Sequence, residues 1–212
     1  MLGTSLYERF GKRLFDLAVT VPVLILLSPL MLLVGLCSLL FMGRPVLFRQ
    51  DRAGLSEEPF TVLKFRTMRM ARVCHARPLP DSERLTHLGG ILRKTSIDEI
   101  PQLWNVLRGE MSLVGPRPLL ISYLTRYAPE QRRRHEVKPG ITGWAQVNGR
   151  NALTWEQRFE LDIWYVDHRS FWLDCKILLL TLSRVLRASG IRQAGDATMP
   201  EFLGSVDSER TE

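Results

Sequence analysis

Residues 14–43 read LFDLAVTVPVLILLSPLMLLVGLCSLLFMG, and no charged side chain occurs between Asp16 and Arg44. A straight helix over this run would be about 40 Å long at ~1.5 Å per residue, which is enough to cross a hydrocarbon core of ~30 Å. The run is longer than the apolar part of a usual signal peptide, and no clear small-residue cleavage site follows it. The sequence therefore predicts a membrane anchor.

Basic residues flank this anchor on both sides; they are Arg9, Lys12, Arg13, Arg44, Arg49 and Arg52. Because positive charge favours the cytoplasmic side, both ends of the anchor are expected there. Ser28-Pro29 lies near the middle of the run, where proline removes a helical hydrogen bond and favours a kink. We expect a re-entrant helix that bends at Ser28-Pro29 and returns; a tilted single span with a proline kink is the alternative.

The rest of the chain has the composition of a basic globular domain. The 212 residues carry a formal net charge of +7, which suits anionic lipid, nucleic acid or a phosphorylated substrate. Three widely spaced cysteines predict reduced thiols facing the cytoplasm and no disulfide framework. We expect a membrane anchor over 1–44, one compact cytoplasmic domain over 45–190 and a loosely ordered tail over 191–212.

The expected fold class is α+β and mainly helical, with the re-entrant helix, a small β-hairpin and interfacial amphipathic helices around the domain. Two β-rich runs at 45–50 and 60–68 predict the hairpin. Residues 71–90 and the glycine-rich segment 138–151 are expected to be irregular. Helices are predicted over 96–108 (ending at Gly109), 121–127, 154–168 and 171–188.

The last two predicted helices have features of membrane-surface elements. Four of the five tryptophans lie between positions 144 and 172, and tryptophan favours the headgroup layer. Segment 171–188 combines a broad apolar face with basic side chains, as an in-plane interfacial helix does. Packing within a soluble core is the alternative. The basic cluster at 126–138 is either a solvated surface or a contact for anionic lipid or substrate phosphates.

Asp98 and Glu99 are adjacent acids at the expected start of the 96–108 helix. Ser96-x-x-Glu99 matches a capping box, and acids in a first turn interact favourably with the helix dipole. Pro101 fits better if Asp98 is the N-cap, because Pro101 then occupies a position that needs no intrahelical donor. That register places Asp98 at a helix N-terminus, where phosphate is also favoured. The pair alone leaves both capping and catalysis open.

Several blocks occur in a fixed order between Arg13 and about Gly190. They are the Ser-Pro pair in the apolar run, KFRTM at 64–68, DEIPQLWNVLRGEMSLVGPRP at 98–118, KPGITGWAQVNGRN at 138–151 and FELD at 159–162. In these blocks the chain resembles the bacterial sugar transferases known as monotopic phosphoglycosyl transferases, in their small, minimal form. Its layout is similar to that of the enzymes that begin bacterial N-linked glycan assembly. The family often has Asp where this chain has Glu110, and this replacement keeps the charge.

The resemblance implies transfer of a phospho-sugar from a UDP-sugar to polyprenol phosphate, with release of UMP. Asp98 would be the nucleophile, would form a covalent aspartyl phospho-sugar and would contact Mg²⁺, the expected cofactor. Glu99 would complete a catalytic dyad and either assist the lipid phosphate or hold metal. The expected substrate-binding residues are Lys64, Arg66, Arg117, Arg150 and Asp162.

The resemblance also implies partners and a location. The expected acceptor is undecaprenyl phosphate, the expected donor carries an N-acetylated amino sugar, and the protein lies on phospholipid at the cytoplasmic face of the bacterial inner membrane with both termini in the cytoplasm. An oligomer is compatible with the sequence. A nucleic-acid-binding protein would leave the Asp98–Glu99 pair without a role, so no nucleic-acid partner is expected. A non-catalytic membrane-surface scaffold is the other alternative.

Overall fold

The structure, a computed structural model, describes residues 7–69, 73–74, 77–78, 81–149, 153–186 and 201–204. This part of the chain is mostly helical, with small two-stranded sheets, which confirms the α+β, mainly helical class.

The described chain alternates helices, short 3₁₀ turns and short strands. In chain order the helices and strands are α1 (Lys12–Met42), β1 (Leu47–Ala53), β2 (Pro59–Phe65), β3 (Val73–Cys74), β4 (Arg77–Pro78), α2 (Asp81–Arg84), α3 (His87–Lys94), α4 (Gln102–Arg108), β5 (Ser112–Val114), α5 (Pro129–Arg132), β6 (Gly140–Thr142), α6 (Trp144–Asn148), α7 (Trp155–His168) and α8 (Phe171–Leu186). A π-helical turn (Tyr7–Gly11) precedes α1, and the 3₁₀ turns are Leu55–Glu57, Ile97–Glu99, Ile121–Arg126 and Arg133–Glu136.

The apolar run forms one helix, α1, that is long and apolar enough to cross a membrane by length and composition. Pro22 and Pro29 both lie inside α1. Pro29 has no N–H to donate to the carbonyl of Ile25, and the Ser28 hydroxyl donates to that carbonyl instead at 2.8 Å. The Ser28-Pro29 pair therefore replaces the hydrogen bond that the proline removes. The re-entrant path through the membrane stays a prediction.

The start of α1 is fixed to the domain by polar contacts. Arg13 donates to the carbonyl oxygens of Val106 at 2.5 Å and Leu107 at 2.8 Å, near the C-terminus of α4. Asp16 is buried and accepts a hydrogen bond from the N–H of Leu113 at 3.2 Å. A cation at a helix C-terminus and a carboxylate on a buried N–H are both favourable pairings.

The end of α1 is fixed to the same domain. Arg66, directly after β2, donates to the carbonyl oxygens of Met42 and, at 2.7 Å, Gly43. Val34 is buried in a cluster with Phe65 and Leu92. Both ends of α1 therefore contact one domain.

The predicted hairpin is confirmed, because β1 and β2 pair antiparallel over their whole length. Asn105, from α4, is completely buried against β2. Its amide donates to the carbonyl of Thr61 at 2.8 Å and its amide oxygen accepts from the N–H of Leu63 at 3.1 Å. This side chain fixes α4 to the hairpin, and it also donates to Glu110 at 2.6 Å.

Three local predictions are wrong. Segment 71–90, expected to be irregular, contains the start of α3, where the Thr86 hydroxyl accepts from the N–H of Gly89. Segment 138–151, also expected to be irregular, contains β6 and α6. The helix predicted from residue 96 begins only at Gln102, after a 3₁₀ turn.

The glycines of 138–151 serve a close backbone approach rather than a loop. β6 pairs in parallel with β5, and a Cβ on Gly140 would lie 2.1 Å from the backbone nitrogen of Gly115. A side chain at this position would collide with the neighbouring backbone, so glycine is required for packing.

The last two helices confirm the predicted positions. α7 begins after Thr154, whose hydroxyl accepts from the N–H of Gln157 at 3.3 Å. α8 buries Asp174 and Ile177 on one side, whereas Trp172 is 79% exposed on the other. One face of α8 therefore packs against the domain core, and contact of its exposed face with lipid stays a prediction.

Candidate active site

The two acids lie on the 3₁₀ turn Ile97–Glu99, just before α4. Ser96 has a left-handed backbone (φ 58°) and makes no side-chain cap, so the capping-box prediction is wrong. Asp98 is not a helix N-cap either, because Pro101 occupies that position for α4. A 3₁₀ turn has about three residues per turn, so consecutive side chains point in different directions. Asp98 and Glu99 therefore face different surroundings.

Glu99 is held by two cations. Its Oε1 accepts hydrogen bonds from Nζ of Lys64 and from Nη2 of Arg117, each at 2.6 Å. Burial alone would raise the pKa of Glu99, but the charges and hydrogen bonds of Arg117 and Lys64 outweigh burial and hold this pKa well below its usual range. Glu99 is therefore a fixed anion.

Asp98 has the opposite electrostatic setting. Its side chain is 9% exposed, and the described residues give its carboxylate no hydrogen bond. Burial, followed by the charge of Glu99, raises the pKa of Asp98 to about 6, against the opposing charges of Lys64, Arg117 and Arg93. A buried, unclamped carboxylate that ionises just below neutral pH is suited to act as a nucleophile.

Lys64 and Arg66, predicted to line one anionic site, are directed to different partners. Lys64 lies on β2 at the dyad, where burial lowers its pKa and the charge of Glu99 opposes this shift. Arg66 lies beyond the end of β2 and directs its guanidinium to the carbonyls that end α1. These contacts hold the anchor against the domain, which is a structural role. Because β2 ends at Phe65, the alternation of side chains along the strand does not extend to Arg66.

Arg117 is the second cation at the dyad, and its backbone carbonyl accepts a hydrogen bond from a buried arginine. Arg134 donates to the carbonyl of Arg117 at 2.7 Å and forms an ion pair with Asp162 at 2.7 Å. Both members of this pair are buried, with side chains 1% and 2% exposed. Asp162 is thus placed behind the site, where it orients Arg134 rather than facing solvent.

Arg134 was not predicted from the sequence. It is the last of three consecutive arginines, and the sequence gives no sign of which one is buried. Its neighbour Arg133 is exposed and pairs with Asp167. The spacing of Phe159 and Asp162 on one face of α7 was the available signal, because a buried acid requires a hydrogen-bond donor or a cation as its partner. Arg150 lies outside the described residues.

The residues at the dyad fit Mg²⁺, although they form no complete metal cage. No group of three or more His, Cys, Asp or Glu side chains suited to hold a metal occurs among the described residues. Mg²⁺ is commonly bound by one or two carboxylates together with substrate phosphates and water. The free carboxylate of Asp98 matches that donor set, and because Glu99 is already bound by two cations, Asp98 would be the main protein ligand of such an ion.

A groove of about 1220 Å³ lies between α1, the hairpin and α4. Its lining is mainly apolar, and Arg49 and Arg108 are its charged lining residues. Leu63 and Phe65 line it from β2, so strand alternation places Lys64 on the opposite side of the strand. The groove and the dyad therefore lie on opposite faces of β2.

Comparison with known proteins identifies the family of this chain. The chain belongs to the bacterial sugar transferase family, whose sequence profile matches residues 7–188. This agrees with the resemblance found in the sequence blocks and with the long apolar helix at the start of the match.

The relatives of this chain differ in length: one is about as long as this chain, and others are much longer. EpsL of Bacillus subtilis (strain 168), an uncharacterized sugar transferase, is 55% identical over 196 residues, which cover 92% of this chain and 97% of EpsL. An undecaprenyl-phosphate glucose phosphotransferase of Komagataeibacter xylinus is 44% identical over 198 residues (85% of this chain, 36% of the relative). A UDP-glucose:undecaprenyl-phosphate glucose-1-phosphate transferase of Escherichia coli (strain K12) is 40% identical over 185 residues (82% and 40%). The chain thus spans less than half the length of these last two relatives.

Proposed function

We propose that this protein transfers a sugar phosphate from a UDP-sugar to undecaprenyl phosphate, releases UMP and thereby begins the synthesis of a membrane-linked glycan. The observation that carries the proposal is the contrast within the dyad. Glu99 is fixed by Lys64 and Arg117, whereas the adjacent Asp98 is buried, ionisable near pH 6 and free of hydrogen bonds from the described residues. The names of the relatives from K. xylinus and E. coli support this choice of reaction.

In the first half-reaction, a carboxylate oxygen of Asp98 attacks the β-phosphorus of the donor. A bond forms between this oxygen and the β-phosphorus, and the bond from the β-phosphorus to the bridging oxygen breaks, so that UMP leaves with that oxygen. Lys64 and Arg117 are positioned at the dyad to bind phosphate oxygens as negative charge moves to the leaving group. Mg²⁺ bound by Asp98 and the diphosphate would neutralise phosphate charge.

In the second half-reaction, an oxygen of undecaprenyl phosphate attacks the phosphorus of the aspartyl intermediate. The bond to Asp98 breaks, the carboxylate is regenerated, and a polyprenyl diphosphate sugar results. The apolar groove beside α1 suits the polyprenyl chain, because its wall is formed by the membrane helix on one side and by Leu63 and Trp104 on the other.

The proposed location follows from the two ends of α1. Arg13 and Arg66 tie the start and the end of one apolar helix to a single domain, and a domain with a UDP-sugar as substrate lies in the cytoplasm. This supports a re-entrant anchor at the cytoplasmic face of the inner membrane. For the sugar, the expected N-acetylated amino sugar is one candidate, while the names of the relatives from K. xylinus and E. coli mention glucose.

The test is UMP release by purified protein in lipid nanodiscs with Mg²⁺, undecaprenyl phosphate and a panel of UDP-sugars. The panel contains glucose, galactose and their N-acetylated amino forms. We expect one donor to give UMP release that is lost in Asp98→Asn, a variant of nearly identical shape. No release above the Asp98→Asn background with every donor would refute the proposal.

The covalent step is tested without the acceptor. Enzyme, UDP-sugar and Mg²⁺ alone should catalyse exchange of labelled UMP into the UDP-sugar, because the first half-reaction is reversible in a two-step path. Intact-mass measurement should find one sugar phosphate on the protein, located at Asp98. A requirement for the lipid acceptor before any exchange occurs would favour direct transfer instead.

A further inference from the structure

The segment 201–204 packs into the domain, although the sequence predicted a loose tail from 191 onward. Phe202 is 1% exposed and lies among four aromatic rings. Its ring centroid is 5.1 Å from Phe159, 5.4 Å from Trp155, 5.6 Å from Tyr123 and 5.8 Å from Tyr127. Edge-to-face and stacked contacts at these distances are favourable, so this ring is a buried anchor.

Polar contacts fix the backbone of the same segment. The N–H of Phe202 donates to the hydroxyl oxygen of Tyr123 at 3.2 Å. Arg126 donates to the carbonyl of Phe202 and, at 2.8 Å, to the carboxylate of Glu201. The next residue, Leu203, is 82% exposed. The domain therefore buries the side chain of Phe202 and holds this residue through both its ring and its backbone.

The aromatic cluster that receives Phe202 contacts Arg134. The guanidinium of Arg134 lies 5.7 Å from the ring centroid of Phe159 and 5.9 Å from that of Tyr127. Both rings also contact Phe202. The guanidinium is hydrogen-bonded to Asp162 and to the carbonyl of Arg117, and these two rings pack against it, so their packing supports the position in which it makes those bonds.

Arg134 in turn reaches the dyad through one residue. It donates to the carbonyl of Arg117 at 2.7 Å, and Arg117 donates to Glu99 at 2.6 Å. A continuous set of contacts therefore leads from Phe202 through two aromatic rings, Arg134 and Arg117 to the carboxylate pair.

We propose that Phe202 is a positioning residue: docking of Glu201–Gly204 on the aromatic cluster holds Arg134 in its pair with Asp162 and thereby holds Arg117 at the donor phosphates. The proposal rests on the proposed function, since it assigns Arg117 to the UDP-sugar. Phe202 acts on the half-reaction with the donor and leaves the binding of the lipid acceptor unchanged, because Phe202 does not line the groove beside α1.

Three substitutions in the full chain test this inference. Phe202→Ala removes the docked ring from the aromatic cluster, whereas Phe202→Leu keeps most of the apolar volume of the side chain. Arg126→Ala removes the tether and leaves all five aromatic rings in place, so it tests the docking when Phe202→Ala lowers the folding yield. Leu203→Ala is the matched control, because it removes a similar apolar side chain from the neighbouring exposed position.

The readouts are the exchange of UMP into UDP-sugar without acceptor, the KM for undecaprenyl phosphate and the thermal unfolding midpoint. We expect Phe202→Ala and Arg126→Ala to lower kcat/KM for the donor at least tenfold with an unchanged acceptor KM, Phe202→Leu to recover most of the loss, and Leu203→Ala to match the wild type. The inference would be overturned if the donor kinetics were equal in Arg126→Ala, Phe202→Leu and Leu203→Ala. It would also be overturned if the variants lost activity equally toward both substrates. A wild type without exchange or UMP release refutes the proposed function instead, so the two failures are distinguishable.

Discussion

At the scale of single residues, the site depends on an asymmetry between two neighbouring carboxyl groups. One carboxylate oxygen of Glu99 accepts hydrogen bonds from two cations, Lys64 and Arg117. Asp98 is therefore buried next to a fixed negative charge, and the charges of Lys64, Arg117 and Arg93 compensate for this only in part. The ionised carboxylate of Asp98 is therefore destabilised before the reaction. When one of its oxygens bonds to phosphorus, the carboxylate loses its negative charge and the destabilisation is relieved.

The raised pKa of Asp98 makes a prediction for stability. A carboxyl group whose pKa is higher in the folded than in the unfolded protein contributes stability at low pH, and this stability is lost as the pH rises through the folded pKa of about 6. In metal-free buffer with EDTA, Asp98→Asn should therefore stabilise the protein by about 1–3 kcal/mol at pH 8, with a gain that shrinks toward pH 4. Urea unfolding of both proteins across this pH range measures the gain. A difference that does not change with pH would contradict the assignment of the shift to Asp98.

The same electrostatics predict the effect of Glu99→Gln. Without the charge of Glu99, the carboxylate of Asp98 faces Lys64, Arg117 and Arg93 with no repulsive neighbour, so the pKa of Asp98 should fall. In the Glu99→Gln background, Asp98→Asn should then stabilise the protein less at pH 8 than it does in the wild type, because burial still raises the pKa of Asp98. Unfolding of the single and double variants in the same EDTA buffer completes the cycle. Additive free energies of unfolding would mean that the two carboxyl groups are not coupled.

At the scale of elements, local patterns predicted some parts of the fold well. The hairpin and α7 were predicted because β-rich runs and a Thr154 cap are local signals. The 3₁₀ turn that carries Asp98 was not, because Ser96 has a left-handed backbone that is set by its surroundings. Similarly, β6 pairs with a strand distant in sequence, and its glycines alone indicated a loop.

The candidate site shows the same division. Asp98, Glu99, Lys64 and Arg117, which the ordered blocks named as site residues, are neighbours in the structure, and their roles stay predictions. Arg134 was missed, because three consecutive arginines carry no local sign of burial. The docking of Phe202 depends entirely on distant aromatic partners, which a single apolar residue in a polar tail does not reveal.

The two attachments of α1 predict its topology. Phe10, 71% exposed before α1, and Leu55, in the hairpin turn after it, should both lie on the cytoplasmic side. Single cysteines at these two positions, in a chain with native cysteines replaced by serine, should react with a membrane-impermeant maleimide in inside-out vesicles and be protected in intact spheroplasts. Detergent lysis provides the control for reactivity. Labelling of one position from each side would establish a crossing helix.

At the scale of the whole molecule, β2 separates two chemical environments. One face carries Lys64 at the carboxylate pair, and the other face forms a wall of the groove beside α1. In the proposed reaction, a soluble nucleotide sugar and a long lipid would therefore approach one reaction centre from different sides without competing for the same surface. The anchor would limit the search for the lipid to the plane of the membrane, and the ordered domain would provide the positioned cations.

This separation predicts that the groove affects only the half-reaction with the lipid. Ile25 lines the groove, whereas the adjacent Leu26 does not, and the two side chains are similarly exposed at 70% and 76%. Ile25→Trp should fill part of the groove and raise the KM for undecaprenyl phosphate several-fold, while UMP exchange into UDP-sugar without acceptor stays at the wild-type rate. Leu26→Trp places the same large ring on the same helix and should change neither rate. If both tryptophan variants behave alike, the groove is not the binding site of the polyprenyl chain, since only the position of the ring relative to the groove differs between them.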